Sequence, residues 1–476
     1  TRLYLKYSNA IPLHHKIRRS AEHAVDDVYY FEKLYQSDHI QFNLKPFVFH
    51  DSVLSNKAAL LIVYNKQKID LVHFMPVFQN LQLHIYDEIT ARIGSIDNQI
   101  GYIHTYRVAH VDETKLNLAS IQPLLIDLLN AIFDNKIPND PLNGLVVKAN
   151  LHWQEVFVIQ AYRNYLLQLG SSYGKEFINA TILKHPTPIK IMIDYFHKRF
   201  IYHESEKPSK NRLTLLEKTE KDFFNSLNDV SSISEDFILK WLFNLMSNTL
   251  RTSFYCDSFK KNQLLALKFD CDNMQIPEPR PYREIFVFTP DMEGIHIRFG
   301  AVARGGIRWS NREDFRNEVI GLSHTQKVKN VVIVPTGSKG GFIIKKDITK
   351  EDAATESKKQ YETFMTGLLT LTDNLQVDGS IEKPTAVTCY DQDDPYLVVA
   401  ADKGTAMFSD YANAISETKD FWLGDAFASG GSVGYNHKEF AITAKGAWEC
   451  VKLHFKERNF NIQKQEFTVV GVGDMS

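Results

Sequence analysis

AVARGGIRWSNREDFRNEVIGLSHTQKVKNVVIVPTGSKGGFII, residues 301–344, holds two cations that run directly into paired glycines: Arg304 before Gly305 and Gly306, and Lys339 before Gly340 and Gly341. Glycine has no Cβ, so backbone or ligand can come close there. A cation in such a place is set to meet an anionic or carbonyl substrate. The two cations bracket one helix and one apolar strand. Ser310 and Glu313 have capping-box spacing, which predicts a helix starting near Asn311. Phe315, Val319 and Leu322 then fall on one face at helical spacing, and that face extends to Gln326 and Lys329. Lys329, at the end of an apolar stripe, either snorkels out to solvent or enters a cleft with a partner. The apolar run 331–334 suits a strand buried on both faces. Pro335 stops it, and Thr336, Gly337 and Ser338 turn the chain into Lys339. Both lysines then lie near the ends of packed elements, as a preorganised site requires.

R-G-G-I-R-W at 304–309, Q-x-x-K at 326–329 and V-P-x-G-x-K-G-G at 334–341 resemble the glutamate dehydrogenases, in particular the large-subunit, NAD-dependent bacterial branch. The resemblance continues in DPYLVVAADKGTAMFSD at 394–410, where Asp402 falls on the family's catalytic aspartate. It continues again in SGGSVG at 429–434, which contains Ser432, and in Ile442, Thr443 and Ala444, near the family's cofactor-facing threonine. The chain closes on Val469, Val470, Gly471, Val472, Gly473, Asp474, Met475 and Ser476. That is similar to the opening of a dinucleotide-binding turn, G-x-G-D-M-S, which leads us to expect a piece of a longer polypeptide.

What the resemblance implies is an enzyme that oxidatively deaminates L-glutamate to 2-oxoglutarate and ammonia with NAD as cofactor. Lys329 would bind the α-carboxylate, with Gln326 beside it. Arg304, with Gly305 and Gly306, stands where small-subunit enzymes carry a lysine that holds the distal carboxylate. Arginine there departs from that branch; its planar fork suits a bidentate carboxylate contact but cannot serve as a base. The same arginine could instead stabilise a turn by bonding carbonyls. Lys339 would act as base toward the attacking water or the carbinolamine hydroxyl. The segment from Pro335 to Lys339 is one residue shorter than in the small-subunit pattern. Asp402, which from its neighbours alone reads as a turn or helix-cap residue, would shuttle a proton to and from the amino group. Ser432 and Thr443 would touch the nicotinamide end of the cofactor, and Gly471, Gly473, Asp474, Met475 and Ser476 would bind it as the opening of the dinucleotide turn. Two other readings stay open: another amino-acid dehydrogenase, and a catalytically silent regulatory or assembly fragment.

Composition agrees with a soluble protein. The formal net charge of −2 over 476 residues gives no electrostatic case for nucleic acid or an acidic membrane surface. Four scattered cysteines, Cys256, Cys271, Cys389 and Cys450, lack C-x-x-C spacing and suit reduced thiols of a cytoplasmic protein. Asp391, Asp393 and Asp394 form an acidic run without further ordered ligands, so they read as loop residues and no metal is expected. His296, His324 and His437 have no ligand spacing and read as structural.

The expected architecture is multidomain, α+β and α/β. Residues 1–52 read as the tail of a preceding domain. Residues 53–138 read as a βαββα module: strand near 59–64, helix near 70–81, strands from Leu83 and over 101–110, helix over 118–133. That order lacks only a last strand and resembles an ACT-like regulatory module. It implies an amino-acid effector, against the alternative of a plain scaffold or a subunit contact in a homo-oligomer. Residues 139–260 read as a helical linker domain, 261–460 as the α/β substrate-binding catalytic domain, and 461–476 as the first strand of a truncated Rossmann domain.

Overall fold

The computed structural model describes residues 6–7, 11–13, 21–47, 57–94, 99–112, 116–201, 210–326, 336–401, 408–427 and 440–471. Helix α1 (Ala21–Ser37) leads into strands β1 (Gln41–Pro46) and β2 (Ala58–Asn65), helix α2 (Leu71–Asn80), strands β3 (Leu83–Gly94) and β4 (Ile100–His110) and helix α3 (Leu118–Phe133). The four strands form one antiparallel sheet in the order β1-β2-β4-β3. The edge place left open by a βαββα order is therefore filled by β1, which precedes the unit in sequence. Alternation decides the two faces. Tyr106 and Val108 point at Phe74 and Phe78 of α2, whereas Ile62, Tyr64 and Ile103 meet Phe31 and Leu34 of α1.

The next helices are α4 (Leu145–Ala149), α5 (Trp153–Gln168), α6 (Lys175–Lys184), α7 (Pro186–Phe200), α8 (Lys210–Ser226) and α9 (Ile233–Ser247). Helix α5 starts at a capping box formed by His152 and Glu155, and α7 carries proline in its first turn. Both devices satisfy or remove amide donors that a helix start leaves open. Eleven residues of α5 are buried, so it is the central helix rather than a surface one.

A seven-stranded mixed sheet follows, in the order β13-β9-β10-β8-β7-β6-β5. Its chain order is β5 (Thr249–Thr252), α10 (Asp257–Asn262), β6 (Leu265–Asp270), β7 (Arg283–Phe288), β8 (Met292–Arg298), β9 (Ala303–Trp309), α11 (Phe315–Gln326), β10 (Thr336–Ile344) and α12 (Ala353–Thr370). The short pair β11 (Asn374–Leu375) and β12 (Ile381–Glu382), then β13 (Val398–Ala401), α13 (Ser409–Thr418) and α14 (Ile442–Glu457), complete it. Strands β13, β9 and β10 are mutually parallel, and the rest are antiparallel. Helices α5 and α11 cover one face: the ring of Tyr165 stacks on Phe269 at 4.3 Å, and a Cβ on Gly341 would lie 2.6 Å from Val319. Helix α12 covers the other, where a Cβ on Gly294 would lie 2.6 Å from the Phe364 ring. Glycine at these two positions lets each helix seat close to the strands.

Several expectations change here. Thr336, Gly337 and Ser338 are not a turn but the first residues of β10, because their amides and carbonyls pair with β9 and β8. Lys339 therefore sits inside a strand. The run 331–334 lies outside the described residues. Helix α11 starts at Phe315 rather than near Asn311. Ser310 is drawn away from the capping box, since its hydroxyl donates to Glu318 (2.7 Å) and accepts from the amide of Arg312 (3.2 Å). Residues 461–471 form turns and irregular backbone without strand pairing, and Val469 and Val470 are exposed. A strand needs a neighbour to pair with, and none of the described residues supplies one there. Among the described residues, no helix is long and apolar enough to cross a membrane.

Candidate active site

Alternation along paired strands decides which side chains meet. Lys339 of β10 is the partner of Gly306 on β9 and of Ile297 on β8; Gly337 is the partner of Arg304. Arg304, Gly306 and Lys339 therefore share one face, the face covered by α11. Arg304 and Lys339 are diagonal neighbours, with backbones on the order of 7–8 Å apart. Gly306 puts no side chain between them. On the far side of β9, Val398 of β13 is the partner of Arg304, and Ala401 is the partner of Ile307.

The two cations differ in surroundings. Lys339 is 5% exposed. Arg304 is half-buried and has no hydrogen bond or carboxylate partner among the described residues. The other arginines of this sheet are all paired: Arg251 with Asp373 (2.5 Å) and Asp391 (2.5 Å), Arg283 with Asp270 (3.0 Å), Arg298 with Asp394 (2.9 Å) and Arg308 with Glu318 (2.6 Å). A desolvated guanidinium is costly without an anion. Arg304 keeps its fork open where its neighbours have closed theirs, which suits an anionic ligand.

Helix α11 runs antiparallel to β9 and β10, as a crossover between parallel strands must. Phe315 and Val319 anchor it, and Ser323 continues the buried stripe with its hydroxyl bonded to the Val319 carbonyl (2.7 Å). Its last residue, Gln326, is carried toward the ends of β9 and β10 where Arg304 and Gly337 lie. Gly305 is held between strands; a Cβ there would lie 1.7 Å from the Ser338 carbonyl oxygen. Lys329, Asp402, Ser432, Gly473, Asp474, Met475 and Ser476 lie outside the described residues. Thr443 is exposed in the first turn of α14, and Gly471 is exposed far along the chain from the sheet.

Three features were invisible to sequence reading. Arg316 of α11 makes a buried bidentate pair with Glu284 of β7, at 2.8 and 3.0 Å. Gln168, at the end of α5, accepts from the amide of Arg316 (3.2 Å) and donates to the carbonyl of Glu313 (2.7 Å). On the opposite face Arg251, Lys268 and Arg298 are interleaved with Asp373, Asp391 and Asp394. Asp391 and Asp394 are thus more than loop residues: they neutralise buried strand cations. Burial works against the charged form of Asp391, but Lys268 and Arg251 outweigh it and hold the carboxyl below its ordinary range. His296 is buried without a hydrogen-bond partner, and burial, then Arg298, pushes its imidazole down to about 3, so it is neutral at physiological pH. All four cysteines are free thiols.

Comparison with known proteins fits this geometry. The family described as bacterial NAD-glutamate dehydrogenase, catalytic domain, matches residues 222–476, more than half of the chain. The glutamate dehydrogenase helical motif 3 matches residues 137–201, the stretch of α4 to α7. The NAD-specific glutamate dehydrogenase of Halomonas elongata is 38% identical over 481 residues, covering 100% of this chain and 29% of that protein. The NAD-specific glutamate dehydrogenase of Pseudomonas aeruginosa is 40% identical, covering 84% of this chain and 25% of its own length. That of Mycobacterium tuberculosis is 40% identical, covering 85% and 26%. The chain thus spans less than a third of the length of these curated relatives. With the catalytic-domain match lying over the very sheet that brings Arg304 and Lys339 together, the chain belongs to the bacterial NAD-glutamate dehydrogenase family.

Proposed function

We propose that this chain carries the substrate-binding part of an enzyme that oxidatively deaminates L-glutamate to 2-oxoglutarate and ammonia. The observation that carries the reading is the open guanidinium of Arg304 on one face with buried Lys339, across a side-chain-free Gly306. Arg304 takes the distal carboxylate of glutamate in a bidentate contact. Lys329 and Gln326, on and just beyond α11, take the α-carboxylate. Lys339 acts as base, taking one proton either from the water that attacks the imine carbon or from the carbinolamine hydroxyl. Asp402 moves the proton of the amino group. The alternative of a monocarboxylic amino-acid substrate is disfavoured by the same arginine, because an apolar side chain would leave that cation unpaired.

The hydride acceptor is NAD. Thr443 and Gly471 are exposed, so a hydroxyl and a Cβ-free backbone are open to it. Ser432, Gly473, Asp474, Met475 and Ser476 complete the proposed contacts. We further read residues 53–138 as an ACT-like module that takes an amino-acid effector, supported by its split βαβ order on an antiparallel sheet. Residues 139–260, 261–460 and 461–476 are read as helical, catalytic and nucleotide-binding segments of a cytoplasmic homo-oligomer. The test is steady-state kinetics of the full-length enzyme on glutamate and on norvaline. A wild-type preference for norvaline would overturn the reading.

A further inference from the structure

Helix α11 packs on the substrate face of the sheet through both apolar and polar contacts. The helix seats over Gly341, with Phe315 and Val319 buried against the sheet and Ile320 partly buried beside them. A glycine-bearing strand offers few interdigitating side chains, so polar contacts add to what fixes the rotation and axial position of the helix. Among the described residues, those polar contacts lie at the N-terminal end. Arg316 reaches across β8 to Glu284, with side-chain exposures of 2% and 0%. Glu284 is the strand partner of Ile297, which is itself the partner of Lys339, so this anchor stands in the same row of the sheet as Lys339. Glu318 holds Arg308 and Ser310 together. Gln168, from the end of α5, binds one donor and one acceptor of the α11 start.

A buried ion pair contributes little net stability relative to a well-packed apolar pair, and fixing one arrangement is its best-attested use. The amide of Arg316 would otherwise be an open donor of the first turn. Gln168 satisfies it from outside the helix. It therefore ties the helical segment at 137–201 to the helix that ends at Gln326. Ten residues separate Arg316 from Gln326, about 15 Å of helix axis, so a small rotation at the start is carried to the substrate end.

We propose that Gln168 and the Arg316–Glu284 pair are positioning residues: they set α11 relative to the row of Lys339, and through it the end of the helix that holds the α-carboxylate of the substrate. This rests on the glutamate reading above. It makes the junction of α5 with α11 the point where the helical segment is mechanically joined to substrate affinity.

The experiment uses the full-length enzyme, with kcat and KM for glutamate measured for Gln168→Ala, Gln168→Glu and Glu284→Gln, beside Lys329→Met as reference. Gln168 is only half-buried, so its variants are expected to fold, which their melting temperatures check. Loss of binding shared by ground and transition states raises KM and spares kcat. We expect KM to rise about fivefold or more in Gln168→Ala and in Glu284→Gln with kcat within about twofold. Gln168→Glu keeps the acceptor for Arg316 and should recover part of the loss. If Lys329→Met raises KM but Gln168→Ala leaves it unchanged, or if Glu284→Gln lowers melting temperature with KM unmoved, the positioning role is overturned. If Lys329→Met itself leaves KM unchanged, it is the substrate reading that falls.

Discussion

Lys339 stands directly across from Gly306 on the adjacent parallel strand, and Arg304 lies two residues along that strand on the same face. The pairing gives an amine and a guanidinium a shared, side-chain-free floor. On the proposed reading, an anionic substrate laid on Gly306 would meet both side chains. That is the arrangement a dicarboxylate needs, since one carboxylate can be held while the reacting carbon is offered to the other group.

Removing the amine should abolish the chemistry and leave the fold. In the full-length enzyme we expect Lys339→Met to lower kcat by about 10²–10⁴, the usual worth of an acid–base group. Stopped-assay kinetics on purified, folded enzyme measures it. Activity within a few-fold of wild type would remove Lys339 from the mechanism.

Arg304 should control which substrate is accepted. Arg304→Leu is expected to raise KM for glutamate by tenfold or more, since a charge-assisted contact contributes about 1.5–3 kcal/mol. The ratio of kcat/KM for norvaline over glutamate should rise. An unchanged ratio would assign the distal carboxylate to another group.

The spacing of β9 and β10 depends on a missing methyl group. A Cβ on Gly305 would lie 1.7 Å from a backbone oxygen of β10, which cannot swing away as a side chain does. Gly305→Ala should force the strands apart, with a destabilisation of about 1–3 kcal/mol from overpacking. Thermal melting and glutamate turnover should fall together. A variant with wild-type melting and turnover would show that the strands relax freely.

The network behind the sheet should respond to acid. The folded-state carboxyl of Asp391 lies below its ordinary range, so the stability it contributes is present above the unfolded carboxylate pKa and lost as pH falls through the folded one. Below roughly pH 3.9 this contribution should drain away. Asp391→Asn leaves Lys268 and Arg251 short of one anion and should cost about 3–5 kcal/mol at pH 7. It should also shrink the drop in stability between pH 7 and pH 3, read from urea midpoints. An unchanged midpoint at pH 7 would show the network to be dispensable.

Local signals were enough for much of the fold. The helix expected over 118–133 is found as Leu118–Phe133, because its apolar spacing and length are self-contained. The apolar face of α11 was legible for the same reason, with Phe315 and Val319 buried, whereas the strand that holds Lys339 was read as a turn. The capping box at Ser310 was misread because Glu318 and Arg308, not the next amides, decide what the serine does. The sheet partner β1 was missed because its pairing with β2 is set by the sheet edge, not by its own six residues. The charge network was unreadable. Arg251, Lys268 and Arg298 look like solvent-facing positions in their strands, and their carboxylate partners lie 96 to 140 residues away.

The amino-acid sequence alone determined the family, the cations flanked by paired glycines and the helix between them, since each is a pattern of neighbours within a few turns of chain. Only the tertiary structure decided that Lys339 is inside a strand, that Gly306 is its floor, that Arg304 remains unpaired among the described residues, and that Gln168 reaches the start of α11 from another helix. Strand register and burial are set by pairing between segments distant in sequence. Whether a given cation is satisfied or left open for a ligand is therefore a property of the folded sheet and of no single stretch of chain.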